Sequence, residues 1–203
     1  MTERDPLAHH LYTMACNNAW ANHRLGGVYS ALTEAELWAD RSSFFRSIGA
    51  TANHLITVDW FYTDALERTL EGAPPHESPG TFFSPEHPFR DADRLLGAQR
   101  AVDLRLMHVC AGLKPADALA TVRIRRATGE SSDSLVRILA HLFQHQIHHR
   151  GQIHAMLSST RLAPPPLDSF FCDGDLDDRA EGLAALGLSD EAIWDARLSP
   201  RAP

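Results

Sequence analysis

Four long stretches of the sequence repeat apolar residues at spacings of three and four, and this is the strongest constraint on the fold. Such spacing places the apolar side chains on one face of an α-helix. The predicted helices cover residues 7–32, 43–69, 91–113 and 131–160. Long helices with one apolar face bury those faces against each other, so we predict an all-α protein built as a four-helix bundle.

The segments between these helices contain residues that end or redirect helices. Residues 71–90 hold seven prolines and glycines, which forbid a continuous helix and predict a long crossover loop. Residues 119–126 alternate apolar and polar side chains before Thr128 and Gly129, so we expect a short strand or hairpin there. We expect Phe44 to begin the buried face of the second helix, and Ser131–Ser134 to cap the fourth.

The length of 203 residues suits one domain with a sizeable core. We expect residues 1–168 to form the bundle and residues 169–203 to form an acidic C-terminal extension. Short helices are predicted at residues 179–186 and 190–198. Without a long apolar stripe, this extension should pack on the bundle or on a partner subunit.

Composition excludes several classes of function. The net charge of −7 argues against non-specific binding of nucleic acid, which needs a basic surface. No apolar run is long enough to span a membrane, and the first residues have no apolar signal-peptide core. The three cysteines are far apart and odd in number, so we expect a reducing cytoplasm rather than a disulfide framework.

Five of the twelve histidines lie within residues 141–154 of the fourth predicted helix. His145 and His149 are four residues apart at the edge of its apolar face, so both imidazoles can point to one place. His54 lies beside the apolar stripe of the second helix and can supply a third ring. A histidine on an apolar face is more often a hydrogen-bonded core residue than a ligand, and that interpretation stays open. We expect His76 and His87, in the crossover loop, to lie at the surface.

Three neutral imidazoles would leave a divalent ion with its full charge and an open coordination position, as in catalytic rather than structural sites. Ligation by nitrogen alone suits Zn²⁺ or Ni²⁺, or else Fe²⁺, better than Mg²⁺ or Ca²⁺. A di-iron bundle would need Glu-x-x-His pairs that these helices do not supply. Asp59 and Tyr62 are polar neighbours of His54, but the pattern does not identify a general base.

Two stretches, residues 47–55 with the Asn53-His54-Leu55 sequence and residues 141–152 ending in Arg150-Gly151-Gln152, resemble the signature stretches of the DinB family of helical-bundle metalloproteins. Trp20-Ala21-Asn22 also resembles the first helix of that family, and the resemblance covers about residues 8–168. It implies one metal ion held by His54, His145 and His149. The family is similar to thiol-dependent S-transferases, so the resemblance also implies a low-molecular-weight thiol as cosubstrate, a small-molecule acceptor and a homodimer.

Three functions remain open from the sequence. The first is a metal-dependent transferase or hydrolase of the thiol-dependent kind. The second is a metal-containing protein that binds a small molecule, or serves in a stress response, without turnover. The third is a structural bundle whose histidines are buried and hydrogen-bonded.

Overall fold

The computed structural model describes residues 5–194, and its main body is a bundle of four long helices. These are α1 (Pro6–Tyr29), α3 (Ile48–Leu70), α4 (Ala92–Ala111) and α5 (Leu135–Leu157), with the short α2 (Glu34–Trp38) between the first two. Helices α1 and α3 each pack against both α4 and α5, so α1 and α3 lie diagonally across the bundle. The predicted all-α four-helix bundle is confirmed.

Side-chain caps define where the helices begin. The Asp5 carboxylate accepts hydrogen bonds from the first backbone N–H groups of α1, and Asp91 does the same for α4. Thr33 and Glu36 form a reciprocal capping box at the start of α2. These contacts satisfy backbone donors that a helix leaves unpaired at its first turn.

The prediction for the start of the second long helix was wrong. Helix α3 begins at Ile48, because the Ser47 hydroxyl caps it by accepting from the backbone N–H of Ala50 at 3.1 Å. Arg46 has a φ of 63°, which a right-handed helix cannot include. Phe44 therefore lies in a turn with 80% of its surface exposed, rather than on a buried face.

The prediction for the start of the fourth long helix was also wrong. Residues 131–134 belong to strand β2 (Gly129–Ser134), which pairs antiparallel with β1 (Thr121–Arg126). The pairing runs from Thr121 opposite Ser134 to Arg126 opposite Gly129. Of the four residues expected to cap the helix, Ser134 stands at the N-cap position, but its side chain makes no capping hydrogen bond. Helix α5 therefore begins at Leu135, while the predicted hairpin is confirmed.

The crossover loop contains one 3₁₀ turn at Pro79–Phe83, and the tail after residue 168 contains α6 (Leu176–Ala185) and α7 (Asp190–Ile193). The second tail helix is shorter than predicted, and residues 195–198 of that prediction lie outside the described residues.

The described part of the tail packs on α1. Phe170 lies 5.5 Å from the ring of Trp20, and the guanidinium of Arg24 donates to the carbonyl of Asp178 at 2.6 Å. Within the tail, the buried Arg179 of α6 donates to the carboxylate of Asp190 in α7 at 2.7 Å and so joins the two short helices.

The buried apolar side chains of the bundle form two clusters separated by polar residues. One cluster includes residues 8–21 of α1 and 135–143 of α5, and the other includes residues 25–29 of α1 and 153–157 of α5. Near the junction on each helix lies a set of buried polar side chains that we call the polar layer: Asn18, Asn22, Asp59, Gln99, Asp103, Gln146 and Arg150. Within residues 5–194, no helix has the length and apolar character needed to cross a bilayer.

Candidate metal centre

Helices α3 and α5 bring His54, His145 and His149 together, and we call these three residues the histidine triad. One nitrogen from each ring lies within 4.8 Å of the other two. The Nε2 atoms of His54 and His145 are 2.9 Å apart, although 91 residues separate them in the chain. His145 and His149 lie one helical turn apart on α5, with ring centroids separated by 4.4 Å.

The donor set fits a divalent ion of the zinc type. Tetrahedral ligation with Zn–N bonds near 2.0–2.1 Å places two ligand nitrogens about 3.3 Å apart. The observed nitrogen separations, from 2.9 Å to at most 4.8 Å, bracket that value. Among residues 5–194, the cluster that could hold a metal ion consists of these three histidines and includes no carboxylate.

Burial keeps the triad neutral. It lowers the pKa of His54 to about 4 and that of His145 to about 3, and the neighbouring His149 adds to both shifts. The pKa of His149 is also lowered, again mainly by burial. A neutral imidazole has a free lone pair, so these rings have the protonation state that metal ligation requires.

Gln152 fixes the orientation of His149. The Gln152 Oε1 atom lies 2.9 Å from Nδ1 of His149, while its Nε2 atom lies 3.0 Å from Nε2 of the exposed His148. Because the carbonyl oxygen can only accept, Nδ1 of His149 carries the proton and Nε2 keeps its lone pair. Outer hydrogen bonds of this kind select the tautomer of metal-ligating histidines.

The aromatic ring of Phe45 covers one side of the triad. Phe45 stacks on His54 with ring centroids 4.2 Å apart, and it also lies 5.5 Å from His149. Beside His54 is a cavity of about 230 Å³. Its walls are formed by Phe45, Ala50, His54, Thr57, Phe83, Glu86 and His87.

Asn53 holds the crossover loop against this cavity. Its Oδ1 atom accepts from the backbone N–H of Phe89 at 2.9 Å, and its Nδ2 atom donates to the carbonyl of Phe89 at 2.8 Å. These two hydrogen bonds anchor the end of the crossover loop at Phe89, a few residues after Glu86 and His87 in the sequence. His76 and His87, both expected at the surface, are half-buried there: the ring of His87 lies 5.3 Å from that of Trp38, and the ring of His76 lies 4.9 Å from that of Phe82.

The remaining predicted residues do not join the triad. His141 and His148 are exposed, and His154 lies 3.2 Å from the carbonyl of Pro165 on another face of α5. The Asp59 carboxylate accepts from Gln99 and Gln146 in the bundle interior, so it is not placed as a general base at the triad.

Tyr62 is also not placed as a general base. Its hydroxyl lies 3.3 Å from the guanidinium of Arg126, and its ring contacts His141.

Sequence reasoning missed the place of four side chains around the triad. Gln152 could have been found from its position three residues after His149, within reach on a helix. Phe45 was obscured by the wrong start of α3, which assigned the buried position to Phe44. Glu86 and His87 gave no usable signal, because only the folded loop brings them beside His54.

The comparison with protein families finds a match that covers most of the chain. The model described as "DinB family" matches residues 7–175. No curated protein matches the chain.

Proposed function

The chain belongs to the DinB family, and from this premise we propose that it is a metal-dependent enzyme that transfers a low-molecular-weight thiol to a small-molecule acceptor. In this proposal His54, His145 and His149 hold one divalent ion, with Zn²⁺ or Ni²⁺ favoured over Fe²⁺. A hydrolase that uses the same site is the closest alternative reaction.

The observation that carries the proposal is the convergence of three neutral imidazoles without a carboxylate. Three such ligands leave a tetrahedral ion one open position, which is typical of catalytic zinc sites. When bound there, the ion would lower the pKa of a thiol or water and stabilise the resulting anion. The chain itself supplies the neutral ligands, and Gln152 keeps His149 in the tautomer that can bind.

The cavity beside His54 provides room for an acceptor. Phe45 and Phe83 offer apolar walls, whereas Thr57, Glu86 and His87 are its polar side chains. Phe45 covers one face of the His54 ring. A volume of about 230 Å³ suits a small organic molecule rather than a polymer segment.

Elemental analysis of untagged protein, purified without chelator, tests the metal centre. We expect about one Zn²⁺ or Ni²⁺ per chain in the wild type and almost none in His145→Ala, because two remaining imidazoles bind far more weakly. His141→Ala is the matched control, since His141 is exposed and lies one turn before His145 on the same helix. Equal metal content in wild type and His145→Ala would refute this ligand set.

Turnover is tested separately with the metal-loaded protein. A panel of low-molecular-weight thiols is mixed with an aromatic electrophile, and thioether formation is followed by absorbance. We expect many product molecules per chain in the wild type and none above background in His145→Ala. Uptake limited to one molecule per chain, with no product, would instead indicate a binding protein without turnover.

A further inference from the structure

The polar layer connects all four long helices at the level of the histidine triad. In its centre, the Asp103 carboxylate on α4 accepts from Asn18 at 3.2 Å, from Asn22 at 2.9 Å and from Gln99 at 3.2 Å. Gln99 also donates to Asp59 on α3 at 2.8 Å. Bonds of this kind are directional, so they constrain how each helix is rotated about its axis.

Helix α5 enters the polar layer through the two residues that directly follow its triad histidines. Gln146 donates from Nε2 to the Asp59 carboxylate on α3, with a second, longer contact of 3.5 Å to the carbonyl of Leu55. Arg150 donates from Nη1 to the Oδ1 atoms of Asn18 and Asn22 on α1, the latter at 3.0 Å. One edge of α5 is thereby tied to α3 and to α1.

These ties bear on the triad because of helical geometry. Consecutive residues of an α-helix are about 100° apart around its axis, so the Gln146 and Arg150 stripe lies beside the His145 and His149 stripe. Gln146 also contacts the backbone carbonyl of Leu55, the residue that follows His54 in α3. A rotation of α5 that broke the Gln146 bonds would therefore swing His145 and His149 away from His54.

Apolar packing alone would not fix this rotation. Hydrophobic burial is non-directional, and cores tolerate rearrangement when their volume is kept. A buried hydrogen-bonding group left without its partner, by contrast, is destabilising because it has lost its bonds to water and gained none in the protein. The polar layer thus penalises the rotations that the apolar clusters would permit.

From these contacts we propose that Gln146 and Arg150 are positioning residues of the metal centre. Gln146 acts through Asp59, and Arg150 acts through Asn18 and Asn22, to set the rotation of α5 that aims His145 and His149 at His54. The inference rests on the proposed function, since it takes these three histidines as the ligands. It concerns how the site is built, and not the reaction it performs.

The test compares Zn²⁺ affinity and the Co²⁺ d–d absorption spectrum of purified variants. Gln146→Leu keeps a side chain of similar size but removes the amide that bonds to Asp59. We expect Zn²⁺ affinity about 10- to 100-fold below that of the wild type, as for other groups that orient metal ligands, together with a changed Co²⁺ spectrum. Gln144→Leu is the matched control, because Gln144 is exposed and flanks His145 on its other side.

A double variant that exchanges the two hydrogen-bonding groups of Asp59 and Gln146, here called the reversed pair, tests whether Zn²⁺ binding is restored. Asp59→Asn combined with Gln146→Glu exchanges the amide and the carboxylate, so a hydrogen bond between α3 and α5 is kept. We expect this double variant to bind Zn²⁺ with an affinity within about threefold of that of the wild type. This change is much smaller than the 10- to 100-fold loss expected for Gln146→Leu. Its Co²⁺ spectrum, which reports ligand geometry rather than overall stability, should match that of the wild type.

The outcomes separate the two proposals. A wild type that binds no metal refutes the metal centre itself. A wild type that binds metal beside a Gln146→Leu variant with equal affinity and an unchanged Co²⁺ spectrum overturns only the positioning role. If Gln146→Leu does not fold by circular dichroism, the reversed pair decides: wild-type affinity supports the role, and a folded double variant that loses metal overturns it.

Discussion

The low pKa values of the triad predict that metal binding resists mild acid. A proton competes with a metal ion for the same imidazole lone pair, so affinity falls once the pH drops below the pKa of the free ligand. Burial holds the pKa of His54 at about 4 and that of His145 at about 3. Both values lie well below the pH range in which ordinary histidines become protonated.

The size of the effect follows from these values. At pH 5.5, an ordinary imidazole with a pKa of about 6.5 is roughly one-eleventh neutral, so a pair of them would weaken binding about 100-fold relative to pH 7.5. His54 and His145 remain almost fully neutral at pH 5.5, so their protonation should weaken binding by less than about 10%. The pKa of His149 is lowered too, which acts in the same direction.

Equilibrium dialysis against buffered Zn²⁺ at pH 7.5, 6.5 and 5.5, with metal measured by mass spectrometry, provides the assay. Circular dichroism at each pH checks that the chain stays folded, because an unfolded chain would regain ordinary histidines. We expect the dissociation constant to change by less than about 10-fold over this range, because His54 and His145 contribute almost nothing and the lowered pKa of His149 keeps its contribution below that of an ordinary imidazole. A loss of about 100-fold in a folded protein would refute the reasoning that burial keeps these rings neutral.

Two further predictions test the surroundings of the triad and the packing of the tail. Phe45→Ala should raise the pKa of His54 towards its ordinary value in the metal-free protein, because water then reaches the ring. A titration followed by NMR measures this pKa. The control variant is Phe44→Ala, which should leave the pKa of His54 unchanged because Phe44 is exposed. Gly182→Ala should destabilise the protein by about 1–3 kcal/mol in urea unfolding, since its Cβ would lie 2.8 Å from Nε1 of Trp20. Gly97→Ala has open space in α4 and should instead stabilise by about 0.5–1 kcal/mol, so equal effects of the two substitutions would contradict this account of the tail.

The parts of the fold that local chemistry determines could be predicted from the sequence. The spacing of apolar residues predicted the four long helices and the bundle, and the alternation before Gly129 predicted the hairpin. The two wrong helix starts have one cause. Near Ser43 and Ser131 the sequence offers several serines that could cap a helix, and the choice among them depends on the backbone of Arg46 and on pairing with β1.

The candidate site was predictable only where its parts lie on regular helices. The spacing of His145 and His149 and the position of His54 beside an apolar stripe were enough to select the residues that the fold brings together. The Asn18 side chain is buried and hydrogen-bonded in the bundle interior. Its partners Asp103 and Arg150 could not be identified, because they lie 85 and 132 residues away and nothing local joins them.

The polar layer is costly, and its place in the bundle suggests why such a cost is useful. Burial raises the pKa of Asp59 and of Asp103 above the usual carboxyl range, and the two carboxyl groups repel one another. Burial likewise lowers the pKa of Arg150. An apolar layer of similar volume would avoid these penalties, and replacing buried ionic groups in this way is often neutral or stabilising in proteins. An apolar layer would not, however, specify the rotation of the helices, whereas a metal site must hold its ligands to within about 0.5 Å. Because the layer lies next to His145 and His149, it constrains α5 where an error in rotation would most disturb the triad.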